Sequence, residues 1–116
     1  MLTVWLAVQA FAGPMVVVDN PVYEFAPEPD GTKIQYAFIV KNAGDADLEI
    51  ENIVPDWGCE LGSFDRNIPP GGEGKIKIKV KTNGYGGSRL TKLFRVRTND
   101  PANRKFNLKV TGQVEK

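Results

Sequence analysis

The sequence contains no histidine, and this absence removes several kinds of chemistry at once. Histidine is the most common general base and metal ligand, and it activates the nucleophile in Ser-His and Cys-His pairs. Enzymes without histidine exist, but they are a small minority. We therefore predict a protein that is not an enzyme and that uses neither a cofactor nor a metal.

Three further features are scarce or missing. Cys59 is the single cysteine, which excludes an internal disulfide and a multi-cysteine zinc site. Fifteen basic and fourteen acidic residues leave a net charge of +1, so no long-range field draws the chain to nucleic acid or to an anionic membrane surface. No apolar run reaches the about 20 residues that cross a bilayer, so we predict no integral membrane segment.

Turn-forming residues and short alternating runs fill the rest of the chain. There are 12 glycines and 8 prolines in 116 residues, which is typical of turns between strands. Across residues 33–54, apolar and polar residues alternate, stop at the polar segment 42–47, and alternate again from Leu48. This period of two predicts a strand, a turn and a strand, which we interpret as a hairpin with one face in water.

Similar runs predict further strands. Residues 22–25 are predicted to form an edge strand, and the two prolines in residues 26–31 predict a loop after it. The other predicted strands lie at residues 59–64, 75–81, 90–98 and 105–114. About seven short strands with turn signals between them predict an all-β fold, an antiparallel two-sheet sandwich.

The first residues carry a different pattern. Residues 1–12 are almost wholly apolar and end in Ala10-Phe11-Ala12, a small-x-small pattern similar to a signal-peptidase site. We expect residues 1–12 to be a signal-peptide-like remnant and residues 13–116 to form a single domain, exported to the periplasm or the cell envelope. Trp5 and Phe11 would then be loosely attached. The alternative is that this segment forms the first strand or helix of the domain.

Four motifs in order resemble those of a known family. They are the run Phe38 to Ile50 with Asn42, Gly44 and Leu48 at fixed spacing, Ile68-Pro69-Pro70-Gly71-Gly72-Glu73-Gly74, Thr98-Asn99-Asp100-Pro101, and Leu108-Lys109-Val110-Thr111-Gly112-Gln113-Val114. Together they resemble the bacterial branch of the Hydin-type (ASH-like) immunoglobulin-like domains, a group of unknown function. The resemblance covers roughly residues 22–116. It implies an immunoglobulin-like sandwich, often in exported proteins, that serves as an interaction or structural module with a protein partner.

One motif departs from the family pattern. Where the family often carries Ser-Cys-Gly-Cys-Thr, this chain has Asp56-Trp57-Gly58-Cys59-Glu60. Trp57 stands in place of the first cysteine, so a paired-cysteine role, whether a disulfide or a metal site, is not carried over to this chain.

Trp57, Cys59 and Tyr85 are the candidate binding residues. Trp57 and Cys59 could form an aromatic contact beside a reactive thiol, or Cys59 could form an intermolecular disulfide. Alternatively, Trp57 could be a lid on the end of the core and Cys59 a small buried side chain. The lid and the buried thiol are the favoured interpretation. Tyr85 lies among glycines, where we expect an exposed aromatic on a flexible loop, available for binding or present only as a mobile hairpin tip.

Three functions are weighed from these residues. The leading hypothesis is a non-enzymatic interaction or structural module of the bacterial envelope that binds through its end loops. The alternative is a carbohydrate-binding module, which needs Trp57 and Tyr85 exposed on one rim. The third is a hydrolase, which needs two carboxyl groups about 5–10 Å apart in one cleft. The hydrolase is the weakest, because the acidic residues lie mostly on turns or outward faces.

The charges on two strands have a structural interpretation instead of a catalytic one. In an immunoglobulin-like order the Leu48 strand lies beside the Leu90 strand. Glu49 or Glu51 is therefore predicted to lie within salt-bridge reach of Arg95 or Arg97, in pairs that are worth about 0.2–1 kcal/mol each.

Overall fold

The computed structural model describes residues 13–116, which form two sheets packed face to face with no helix in that range. The strands are β1 (Val16–Val17), β2 (Val22–Pro29), β3 (Lys33–Asn42), β4 (Leu48–Pro55), β5 (Cys59–Phe64), β6 (Asn67–Ile68), β7 (Glu73–Lys81), β8 (Arg89–Thr98) and β9 (Lys105–Glu115). One sheet has the order β1-β3-β7-β5, and the other has the order β2-β9-β8-β4-β6. The predicted all-β sandwich is confirmed. The described residues form nine strands instead of about seven, and β1 and β6 are short strands of two residues each.

Alternation along the strands builds the core. On β7, Ile76, Ile78 and Val80 are buried while the lysines between them point outward, as the sequence predicts. On β8, Phe94 and Val96 point inward in the same way. Burial of each such side chain contributes about 1.5–3 kcal/mol, and conformational entropy offsets most of the total.

The predicted hairpin at residues 33–54 is wrong in its pairing, although both of its strands exist. Strand β3 pairs with β1 and β7, whereas β4 pairs with β8 and β6 in the opposite sheet. Segment 43–47 is therefore a crossover between the sheets. A period of two shows that a segment is a strand with one buried face. It does not distinguish a hairpin from a crossover, because both sheets face the same core.

Asn42 holds this crossover in place with a buried side chain that is 1% exposed. Its Nδ2 donates to the carbonyl oxygens of Ala46 at 2.7 Å and Ile68 at 2.9 Å. Its Oδ1 accepts from the backbone amides of Gly44 at 2.9 Å and Met15 at 3.1 Å. The asparagine thus takes the place of a main-chain ladder where the chain leaves one sheet for the other.

Strand β2 also differs from its prediction. It is an edge strand, as expected, but it continues to Pro29 and runs parallel to β9, so residues 26–29 are not a loop. A register irregularity between Phe25 and Glu28 accommodates Pro27. Because β2 pairs on one side only, the missing amide hydrogens of its prolines do not break a second ladder.

Gly112 on β9 lies against the ring of Phe25, which is 4% exposed. A β-carbon at Gly112 would stand 2.6 Å from two carbons of that ring. We therefore expect Gly112→Ala to lower the free energy of unfolding by about 1–3 kcal/mol through overpacking, measured by urea denaturation. In a Phe25→Ala background the same change should cost almost nothing, and an equal cost in both backgrounds would show that the ring is not the cause.

Asp100 ties β1 to the turn between β8 and β9. It is 2% exposed, and its carboxylate accepts from the amides of Val16 and Ala102, each at 2.8 Å. Burial by itself raises the pKa of Asp100, but the hydrogen bonds from Val16, Ala102 and Asn103 together outweigh it and lower the pKa below the ordinary 3.8. The unfolded chain therefore takes up this proton first as the pH falls.

The stability that Asp100 contributes is therefore full above pH 3.8 and is lost as the pH falls through the lower pKa of the folded state. We expect Asp100→Asn to lower the free energy of unfolding at pH 7 by about 1.5–3 kcal/mol, because a charged acceptor is lost. The loss should shrink in melting curves recorded at successively lower pH below 4. A loss that stays constant down to pH 2 would contradict this role of the carboxylate.

Candidate binding rim at one end of the sandwich

Trp57 lies at the tip of a tight turn that joins β4 to β5. The amide of Cys59 donates to the carbonyl of Asp56 at 3.1 Å, and Gly58 takes a φ of 83°, which favours glycine. This turn lifts the Trp57 side chain into solvent, where it is 86% exposed. The interpretation of Trp57 as a lid on the core is therefore wrong.

Asp56 fixes this turn to β8. Its carboxylate accepts from the backbone amide of Leu93 at 2.8 Å and from Nη1 of Arg95 at 2.7 Å. The bond from the Leu93 amide and then the bond from Arg95 lower the pKa of Asp56, so the anchor is a carboxylate at neutral pH. The turn that carries Trp57 is thus held to β8 by these hydrogen bonds.

Tyr85 belongs to the loop between β7 and β8, and two consecutive turns meet at this residue. Its amide donates to Thr82 at 3.0 Å, and its carbonyl accepts from Ser88 at 2.9 Å. The carboxylate of Asp30 accepts from the amides of Gly84 at 3.1 Å and Gly86 at 2.9 Å, which ties the loop to the turn between β2 and β3.

The side chain of Tyr85 is half-buried and packs against the core. Tyr85 is therefore less exposed than the sequence predicts. Its ring lies at the rim of the sandwich, with one part against the core and the remainder open to solvent.

Lys92 on β8 joins the two aromatic residues. Its Nζ lies 5.9 Å from the centroid of the Trp57 ring and 5.2 Å from the centroid of the Tyr85 ring, which is within cation–π range. Sequence reasoning missed Lys92, although a signal was present. It occupies an inward position between the buried Leu90 and Phe94, where the alternation predicts an apolar residue.

Cys59 is half-buried beside this group, where it also packs against the core. Burial raises the pKa of Cys59 from 9.0 to about 11, Lys92 acts to lower it, and Asp56 acts to raise it. The thiol therefore stays protonated at neutral pH, so the interpretation as a reactive thiol is not supported. We call Trp57, Cys59, Tyr85 and Lys92 the aromatic rim.

The predicted salt bridge between Glu49 or Glu51 and Arg95 or Arg97 is absent from the ion pairs within residues 13–116. The neighbouring position of β4 and β8 is confirmed, but the register shifts between Ile50 and Asn52. After this shift Arg97 lies opposite Asn52 and Arg95 lies opposite Val54. Arg95 therefore pairs with Asp56 at 2.7 Å.

Other sequence predictions concern metal and membrane. The described residues contain no group of three or more His, Cys, Asp or Glu side chains placed to hold a metal ion. No helix within residues 13–116 is long and apolar enough to span a membrane. Trp5 and Phe11 lie outside the described residues.

Solved structures with this fold come from different kinds of protein. A Porphyromonas gingivalis W83 protein of unknown function superimposes with a TM-score of 0.76 at 18% identity, over 92% of this chain and 50% of that one. The ASH/PapD-like domain of human CEP192 superimposes with a TM-score of 0.63 at 15% identity, over 100% of this chain and 99% of the domain. The secreted serine protease VesC of Vibrio cholerae superimposes with a TM-score of 0.65 at 7% identity, over 88% of this chain and 23% of the protease.

These likenesses confirm the predicted immunoglobulin-like, ASH-related fold. The chain spans 50% of the length of the Porphyromonas protein. No curated protein matches it at a significant level. Residues 16–114 match the model of a family described as protein of unknown function (DUF1573), and the chain belongs to that family.

Proposed function

We propose that the chain is a non-enzymatic interaction module that binds a partner protein through the aromatic rim. The observation that carries this proposal is the shared contact of Trp57 and Tyr85 with Lys92 at the loop end of the sandwich. Trp and Tyr are the residues most enriched among the energetic hot spots of interfaces. A Trp side chain that is 86% exposed is a large apolar surface left in water.

The support beneath the rim favours binding over mobility. Asp56 holds the Trp57 turn to β8, and Asp30 holds the Tyr85 loop through two amides. A loop that is already ordered loses little conformational entropy on binding, so more of the contact energy remains as affinity. The two carboxylates therefore pre-organise the rim.

Recovery of partners from an envelope extract tests this function. We expect Trp57→Ala and Tyr85→Ala to reduce recovery of a specific partner by about tenfold or more, the effect of losing a hot-spot side chain. Val22→Ala is the matched control, because Val22 is 50% exposed on β2, which β9 and β8 separate from β4 and the Trp57 turn. Unchanged melting temperatures would verify the fold, and equal recovery by all four proteins would refute the assignment.

A carbohydrate ligand is the second candidate. It is favoured because the rings of Trp57 and Tyr85 both lie near the amine of Lys92. Sugar rings stack on aromatic faces, and the exposed Trp57 offers such a face. Probing the wild type and Trp57→Ala on an array of immobilised oligosaccharides separates the two candidates. Trp57-dependent binding to glycans, with no protein recovered from the extract, would establish the carbohydrate alternative.

Export belongs to the same proposal, and the apolar segment 1–12 with its Ala10-Phe11-Ala12 ending supports it. Expression of the full sequence in a bacterial host, followed by mass analysis of the periplasmic and cytoplasmic fractions, tests this part. We expect a periplasmic product that begins at Gly13. A full-length product confined to the cytoplasm would contradict export and leave the rim proposal standing.

A further inference from the structure

We propose that the aromatic rim recognises an acidic, extended peptide segment that adds as a short strand to the free edge of β5, with a carboxylate of the peptide on Lys92. This inference rests on the proposed protein-binding function and names the chemistry of the partner. It joins three features: an open sheet edge, an exposed indole and a cation that lacks an acidic partner among the described residues.

Strand β5 is an edge of the four-stranded sheet. Lys81 donates its amide to the carbonyl of Gly58 at 3.3 Å, and the register then places Cys59 opposite Val80 and Leu61 opposite Ile78. In an antiparallel ladder alternate residues bond to the neighbouring strand. The amide and carbonyl of Leu61 and the carbonyl of Cys59 therefore point away from β7, toward the open side.

Residues 59–61 of this edge lack two features that block strand addition elsewhere, the prolines of β2 and the arginine that covers the open side of β4. Strand β2 contains Pro27 and Pro29. On the open side of β4, Arg66 Nη1 donates to the carbonyls of Ile50 at 3.3 Å and Glu51 at 3.1 Å. Residues 59–61 contain neither proline nor lysine, two residues that protect sheet edges, and their one charged residue, Glu60, is paired with Lys81.

The open stretch is short and begins beside Trp57. The pairing of β5 with β7 shifts between Leu61 and Phe64, so regular geometry ends after Leu61. A partner strand would therefore pair over about three residues. The end of the partner strand would then lie next to the exposed indole of Trp57. The indole would add apolar contact area to a pairing that has only a few main-chain hydrogen bonds.

The charges around the edge favour an acidic partner. Asp56 is already paired with Arg95 at 2.7 Å, and Glu60 is paired with Lys81 at 3.5 Å. Within residues 13–116, no carboxylate lies within 4.0 Å of the Lys92 amine. A groove of about 420 Å³ lies beside β5 on the outer face of the sheet. Two further cations, Lys77 and Lys79, line this groove.

Selection of phage-displayed random heptapeptides on the wild-type protein tests this inference. We expect the enriched peptides to contain Asp or Glu next to β-branched or aromatic residues. For synthetic copies of these peptides, Lys92→Met should raise Kd by about tenfold or more, because an interface charge is lost while the aliphatic chain remains. Lys109→Met is the matched control, since Lys109 is exposed on the outer face of the other sheet.

Amide hydrogen exchange tests the strand geometry independently. The Leu61 amide should exchange at least about tenfold more slowly when the peptide is bound, because it gains a hydrogen-bond acceptor. The Glu60 amide faces β7 and should change little. A selection without acidic preference, affinity that survives Lys92→Met, or protection on β3 in place of β5 would each overturn the inference.

Two further outcomes separate this inference from the proposed function. Loss of extract partners on Trp57→Ala, with Leu61 unprotected by any selected peptide, would refute strand addition and leave the rim as a protein-binding site. Dimerisation through β5, seen by light scattering together with Leu61 protection in the absence of peptide, would identify a second copy of this chain as the occupant and overturn the peptide proposal.

Discussion

Replacing Asn42 with alanine is expected to lower the free energy of unfolding by about 3–5 kcal/mol, a large fraction of the total for a domain of this size. The side chain makes four hydrogen bonds, to the amides of Met15 and Gly44 and to the carbonyls of Ala46 and Ile68. Each buried group left without a partner costs about 1–3 kcal/mol, and water entering the gap recovers part of the total.

Urea denaturation measures this loss, and Asn107→Ala is the matched control. Asn107 is exposed on β9, so its replacement should change stability by about 0.5 kcal/mol or less. A loss below about 1 kcal/mol for Asn42→Ala would show that the four bonds contribute little.

Asn42→Asp separates the donor side of Asn42 from its acceptor side. It keeps the oxygen that accepts from Gly44 and Met15, but it sets a carboxylate oxygen against the carbonyls of Ala46 and Ile68. The variant should be strongly destabilised at pH 7 and should recover part of its stability at low pH, where a protonated carboxyl can donate again. No recovery on acidification would argue against donation to these carbonyls.

Asn42 also shows how far the sequence determines the fold. The alternation in β3 and β4 predicts two strands, and both exist. Their pairing depends on where the side chain of Asn42 finds its partners, and one of them, Ile68, lies 26 residues along the chain. Local pattern holds no information on such a partner, so the alternation alone predicts a hairpin where the chain crosses between the sheets.

The same limit applies to the glycine of that segment. Glycine in a polar turn suggests a positive φ, but Gly44 does not have one. It is required because a β-carbon there would collide with the backbone of residues 13–15, which the sequence places about 30 residues away. Close approach between distant segments leaves no local signature apart from the glycine itself.

Three of the four members of the aromatic rim were predictable from the sequence, but Lys92 and the arrangement of the rim were not. Trp57 and Tyr85 are predicted as binding residues because each is an aromatic in a turn-rich stretch. Their distance from each other is set by β8, which brings Lys92 between them. The one local trace of this arrangement is Lys92 at an inward position of β8, where the alternation predicts an apolar residue.

The titration of Cys59 is expected to differ strongly between the folded and unfolded chain. Burial raises its pKa from 9.0 to about 11, so the folded protein holds about 100-fold less thiolate at pH 8 than the unfolded chain. Part of this is offset because a thiolate of higher pKa is a better nucleophile, with a Brønsted coefficient of about 0.4–0.5. Reaction with an aromatic disulfide should therefore be about tenfold slower in the folded protein, and restricted access slows it further.

The ultraviolet absorbance of the thiolate gives the pKa when the titration of Cys59→Ala is subtracted to remove the signal of the three tyrosines. Disulfide exchange gives the rate in native buffer and in guanidinium chloride. The native rate should rise about tenfold per pH unit up to pH 10, because the thiolate is the reacting species. Equal rates for the folded and unfolded chain at pH 8 would show that Cys59 is not shielded.

The raised pKa of Cys59 also makes stability depend on pH in a defined direction. The unfolded chain loses the thiol proton first, near pH 9.0, so the folded state is penalised progressively as the pH rises toward 11. Cys59→Ala should remove this part of the alkaline loss. Lys92→Met should raise the pKa of the thiol further, because the positive charge of Lys92 is what lowers it. An unchanged pKa in Lys92→Met would mean that the amine points away from Cys59 and that the geometry of the aromatic rim is wrong.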